Sequence, residues 1–175
     1  MAPKTTNTAN GSRDTGKLQD LFLDTLKDIY YAEKQIVKAL PKMAKAAQDP
    51  KLRAGFEQHQ QETEGHIDRL EKVFEIIGAP ARGKTCDAIL GILEEGKSIM
   101  EEFKGDIALD AGLISSGQAV EHYEMARYGT LRTWADQLGL SDAAELFQAT
   151  LLEERATDQA LTELAEAGGD NAKAA

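Results

Sequence analysis

Glu33 lies where a charge is least welcome. Leu18, Phe22, Ile29, Ile36, Leu40 and Met43 recur at the spacing of one apolar helix face, and Glu33 falls in the middle of that face. An isolated buried carboxylate is costly, so it must be neutralised, paired or bound to a cation. The nearest cations in sequence, Lys27, Lys34 and Lys38, point to other sides of the same helix. Three later segments repeat the pattern: Glu62 stands with His59 and His66, Glu121 with Glu124, and Glu153 with Glu154. Inward carboxylates on four helices are what a carboxylate-bridged two-metal site in a helical bundle requires.

The local spacings sharpen this. In His59-x-x-Glu62-x-x-x-His66 the three side chains lie three and four apart and can converge on one region. Imidazole with carboxylate suits iron, manganese or zinc better than calcium or magnesium. A second face reads Asp110, Ile114, Gly117, Glu121, Glu124, Tyr128, Leu131 and Ala135, which places two carboxylates one turn apart among apolar or small residues. Gly117 has two readings there, close helix packing or room for an ion. His122 falls one position off this face. In the last helix Glu153 and Glu154 flank the stripe Leu146, Thr150, Thr157, Leu161 and Leu164, so periodicity leaves both as inward candidates, with Asp158 one turn beyond. Tyr30, Tyr31, Tyr123 and Tyr128 are available to hydrogen-bond such ligands, and Cys86 reads as core. The familiar bundle signature is a Glu from each of two helices and Glu-x-x-His from the other two. This chain departs from it, because Gly65, Ala156 and Thr157 stand where those histidines would follow Glu62, Glu153 and Glu154.

Composition supports helices as the scaffold. Ala, Leu, Glu, Lys and Gln dominate while Pro and aromatics are few, the balance of an all-α protein. The length suits one domain with a proper core. A net charge of -10 argues against nucleic acid as a partner and favours metal ions. No apolar run approaches the roughly 20 residues that span a bilayer. The polar start and the single cysteine point to the cytoplasm.

The helical pattern predicts a disordered arm over residues 1–16, a bundle domain over 17–166 and a flexible tail over 167–175. Within the bundle it places helices at Leu18–Ala47, Lys51–Ile77, Asp106–Leu138 and Ser141–Ala165, with a shorter crossover helix over Thr85–Phe103. Pro41 predicts a kink or break near Leu40. Asp49-Pro50 reads as a helix start, and Gly78-Ala79-Pro80 and Gly139 as stops. Two helices, a crossover and two more helices make one standard four-helix bundle topology.

Four stretches resemble the YciF-like family of ferritin-like proteins: Tyr31-Ala-Glu-Lys-Gln-Ile-Val-Lys-Ala-Leu-Pro-Lys-Met, His59-Gln-Gln-Glu-Thr, Val120-Glu-His-Tyr-Glu-Met-Ala and Thr150-Leu-Leu-Glu-Glu. The resemblance covers about Lys17 to Ala165. It implies a ferritin-like four-helix bundle with an additional crossover helix, a homodimer, a bacterial origin and a tie to stress. Glu33, His59, Glu62, Glu121, Glu124, Glu153 and Glu154 stand where family motifs stand, whereas His66 belongs to none of them. The expectation is a dinuclear centre holding two irons per chain, with manganese or zinc as alternatives. Glu33 and Glu121 would bridge, with Glu62, Glu154 and His59 completing the set. Oxidation of Fe(II) or consumption of peroxide would follow. The competing expectation is a structural stress dimer whose core carboxylates are only hydrogen-bonded.

Overall fold

The computed structural model describes residues 16–166 and 170–175, and every regular element among them is a helix. The expected N-terminal arm lies outside the described residues except for Gly16, which opens the first helix. That helix, α1, spans Gly16–Ala46 and buries Phe22, Leu26, Ile29, Glu33, Ile36, Leu40 and Met43. It runs unbroken through Pro41, so the break that the proline offered does not occur. The ring sits on the exposed side, and the apolar face around it remains packed.

The turn into α2 (Pro50–Ile76) forms as its residues predict: Asp49 caps by accepting from the Lys51 N–H at 2.7 Å, and Pro50 occupies the first turn. Gly78 ends α2 with φ +67°, and the Ala79 N–H bonds the Phe74 carbonyl in a Schellman closure. Cys86 then caps α3 (Asp87–Glu102), its sulfur accepting from the Ile89 N–H. The expected early start of α4 at Asp106 is not realised. Asp106 instead accepts from the Ala108 N–H in a local turn, and the helix spans Leu109–Gln137. Gly139 repeats the Schellman stop before α5 (Ser141–Glu166). Residues 170–174, within the segment expected to be flexible, form a short helix, α6 (Asp170–Ala174). Lys173 ties it to Asp49 at 3.1 Å and pairs within it with Asp170 at 2.8 Å.

Side-chain pairings set the topology. Asp28 meets Tyr123, so α1 and α4 are antiparallel neighbours, with Asp110 at the opposite end beside Gln48 and Asp49. His59 faces Thr157 and Arg69 faces Thr150, so α2 and α5 are antiparallel too. Direction is therefore up, down, down, up, and α3 carries the chain back along the bundle. It lies against α4 and α1, with Gly112 meeting Ile99 so closely that an added Cβ would stand 2.6 Å from Ile99 Cγ2.

Buried Asp110 accepts the Gln48 and Asp49 N–H groups at 2.8 and 2.6 Å and so pins the α1–α2 corner to α4. Asp110→Ala strands both donors. A loss of about 2 kcal/mol is expected, at about 1 kcal/mol for each part-buried hydrogen bond, read as a lower urea midpoint with unchanged slope.

Candidate metal centre

The same helical register that buries the core also delivers six polar side chains to the bundle axis: Glu33 from α1, His59 and His66 from α2, Glu121 and Glu124 from α4, and Glu154 from α5. They form two overlapping groups. Glu33, His66, Glu124 and Glu154 each offer an atom within 4.8 Å of the others, and so do His59, Glu121, Glu124 and Glu154. Glu124 and Glu154 belong to both. Glu33 and Glu121, the bridges expected from the sequence, each belong to one group only. The reason is the second carboxylate of Glu121-x-x-Glu124, which reaches one turn further along the axis.

The inward atoms lack hydrogen-bond partners. Glu33 Oε2, Glu121 Oε2, both oxygens of Glu124 and of Glu154, His59 Nε2 and His66 Nδ1 are buried without one. Carboxylate oxygens do lie near the ring nitrogens, 3.2 Å from His59 Nε2 and 3.1 Å from His66 Nδ1, but without bonding geometry. Native interiors rarely leave so many buried polar atoms unpaired. Burial and the neighbouring Glu154 carboxylate push the Glu121 and Glu124 carboxyls well above their usual range. Burial pulls His66 down, yet Glu154 and Glu33 outweigh it and lift the imidazole to about 11. The pocket is thus a carboxylate box short of positive charge, and its donor set is one that could hold a metal.

Around the box the outward atoms are bonded. The Tyr128 hydroxyl donates to Glu33 Oε1. His66 Nε2 meets Glu153 Oε2 at 2.9 Å, and Arg69 grips both oxygens of Glu153 at 2.6 and 2.8 Å. The Arg69 guanidinium holds the Glu153 carboxyl below its usual range. His59 Nδ1 looks outward to Thr157 Oγ1 at 3.5 Å and Glu62 Oε2 at 3.6 Å.

Three candidates therefore sit outside the box. Glu62 is 28 % exposed and bonded to Gln58. Glu153 belongs to Arg69, and Asp158 to Gln118 and the exposed His122. The open choice on α5 resolves to Glu154, because the buried face carries Phe147, Leu151, Glu154 and Leu161 and is rotated away from Glu153. His66 is the residue that family motifs miss, and its signal is the seven-residue step from His59, two full turns along one face. Gly117 serves packing: a Cβ there would stand 3.1 Å from Leu161 Cδ1 and 3.4 Å from Phe56 Cε1.

A four-helix bundle with an added helix and an interior carboxylate and imidazole box defines a ferritin-like, all-α protein. Residues 17–174 match the model of a family described as Domain of unknown function (DUF892), and the chain belongs to that family. Protein YciF of Escherichia coli (strain K12) is 44% identical over 149 residues, 85% of this chain and 90% of YciF. The crystal structure of that stress protein superposes with a TM-score of 0.81 over 85% of this chain and 94% of its own. YcfI from Rhodopseudomonas palustris, proposed to be a structural protein, matches at 43% identity and TM-score 0.81, covering 87% of this chain and 97% of YcfI. No helix among the described residues is long and apolar enough to cross a membrane.

Proposed function

We propose that the box holds two ions of iron or manganese and that the protein oxidises Fe(II) or consumes peroxide. The observation that carries this reading is the set of buried, unpartnered donor atoms aimed at one another from four helices. Glu33 and His66 Nδ1 would serve one ion, Glu121 and His59 Nε2 the other, and Glu124 and Glu154 both. Four carboxylates with two neutral imidazoles carry four negative charges, which two divalent cations cancel. When bound, two redox-active ions supply one electron each, enough to reduce one peroxide to two waters with uptake of two protons.

The chain's own part is positional. The packed faces of α1, α2, α4 and α5 exclude water, and Glu153 and Thr157 lie at the outer nitrogens of the two imidazoles. The Tyr128 hydroxyl keeps a proton beside Glu33, where oxygen chemistry consumes protons. Peroxide consumption suits a relative of YciF, itself a stress protein. The homodimer that the family resemblance implies belongs to the same proposal, and light scattering at two protein concentrations checks it.

A metal-free structural role is the second reading, favoured by His66, whose protonated ring between Glu33 and Glu154 can stand in for a cation. Elemental analysis of protein purified without chelator separates the two. About two equivalents per chain are expected in the wild type, as in dinuclear bundles, and a loss of both in Glu33→Ala/Glu121→Ala. No metal in the wild type, even after anaerobic reconstitution, decides for the structural role.

A further inference from the structure

The two halves of the box are built differently on their outer sides. His66 is fully buried, its Nε2 bonded at 2.9 Å to a Glu153 that Arg69 holds through two hydrogen bonds. Arg69 also donates to Thr150 at 3.2 Å, and Glu33 is held by the Tyr128 hydroxyl. Both groups unique to this half are thus oriented before any ion arrives. His59 has no such support. Its Nδ1 has Thr157 at 3.5 Å and a partly exposed Glu62 at 3.6 Å, while one oxygen of Glu121, as of Glu33, is unpartnered.

The surface outside α2 and α5 follows the same division. A polar depression of about 710 Å³ opens there, bounded by Glu57, Gln58, Gln61, Glu62 and, on the far side, Arg69 with Glu153. The negative charge of Glu153 is matched by Arg69, while those of Glu57 and Glu62 have no ion-pairing Lys or Arg among the described residues. A cation arriving from solvent is therefore drawn toward the His59 side. Gly65 lies in the wall of this depression in mid-helix, with nothing within 4 Å of where a Cβ would be. Packing does not require that glycine, which weakens its helix relative to alanine, but its lack of a side chain keeps the depression clear.

We infer that the two ion positions, whose existence rests on the reading above, are unequal: the His66–Glu33 position retains its ion, and the His59–Glu121 position exchanges through the Glu62 depression. Orientation already supplied by Glu153 and Arg69 favours the first position, because the hydrogen bond at the outer nitrogen of a ligating imidazole typically changes metal affinity by about 10–100-fold. Glu62, poised at the outer nitrogen of His59, is the acid that passes an ion between solvent and the box.

Titration with Mn(II) alone, followed by electron paramagnetic resonance and by release into a chelator, tests this. The wild type should fill in two steps, an uncoupled single-ion signal up to one equivalent and then its loss as the pair forms. Glu153→Gln should weaken the tighter step by about 10-fold or more. Gly65→Leu, which replaces no ligand, should still bind two ions and slow release of the weaker one at least several-fold. Two ions bound with one affinity, an unchanged tight step in Glu153→Gln, or unaltered release in Gly65→Leu would overturn the inference while leaving the dinuclear reading intact. Failure to bind Mn(II) at all removes the dinuclear reading itself, and this inference with it.

Discussion

Replacing Glu124 by alanine should strip both ions from the box, whereas Glu33→Ala should leave one in place. Glu124 is shared by the two donor groups and Glu33 is not. An orienting hydrogen bond beyond the ligands is worth about 10–100-fold in affinity, so a lost shared ligand should weaken both ions by more than about 100-fold. Elemental analysis after gel filtration reads the result directly. Two equivalents retained in Glu124→Ala would sink the shared role. The same carboxyl makes a prediction of opposite sign for the empty protein. Burial and Glu154 hold its proton far above the ordinary 4.5. The folded state therefore keeps a proton that the unfolded chain releases as pH climbs past that value, and the stability it contributes is lost with rising pH. Metal-free Glu124→Gln, which cannot ionise, should gain on the wild type steadily between about pH 5 and pH 8. Chemical denaturation at several pH values measures the widening gap.

Loading with metal should raise the melting temperature by roughly 10–20 °C at neutral pH, and a chelator should reverse it. An ion that binds only the folded chain at 100 times its dissociation constant stabilises by about 2.7 kcal/mol, and two ions by about 5. For a chain of this length each kcal/mol moves the midpoint by about 2–4 °C. The pH trend should also change sign on loading. Without metal, Glu121, Glu124 and His66 all hold protons more tightly when folded, the last over the window from its ordinary 6.5 to about 11, so their contribution to stability fades upward. Bound ions displace those protons, and affinity then grows with pH. Calorimetry with and without Mn(II) at pH 6 and pH 8 checks both statements. A midpoint indifferent to metal would favour the structural role.

Much of this was legible in the residues alone. The four long helices, their Asp49-Pro50, Gly78 and Gly139 boundaries and the crossover helix follow from spacing and turn chemistry. So does the inward placement of Glu33, Glu121 and Glu124, because each interrupts an otherwise apolar face. What resisted was rotation about a helix axis. Glu153 and Glu154 are 100° apart on a helical wheel, and only the packing of Phe147 and Leu151 turns Glu154 inward. His66 was legible from its spacing to His59 and Glu62, although no family motif includes it. Pro41 does not break its helix, because a missing hydrogen bond on an exposed side costs less than unpacking a buried face. The pairing of Arg69 with Glu153 joins residues 84 apart in sequence, and no local pattern announces it.

The clustered side chains run from Glu33 to Glu154 and draw on all four long helices. Ions seated among them would fasten the first helix of the bundle to the last across most of the chain. Peeling away any one helix would then require breaking coordinate bonds before surface is exposed, which slows unfolding itself. Empty copies carry the opposite burden, crowded carboxyls that relax on opening, and would be the first reached by proteases. The lifetime of each molecule would then report how much metal its surroundings had to offer when it folded.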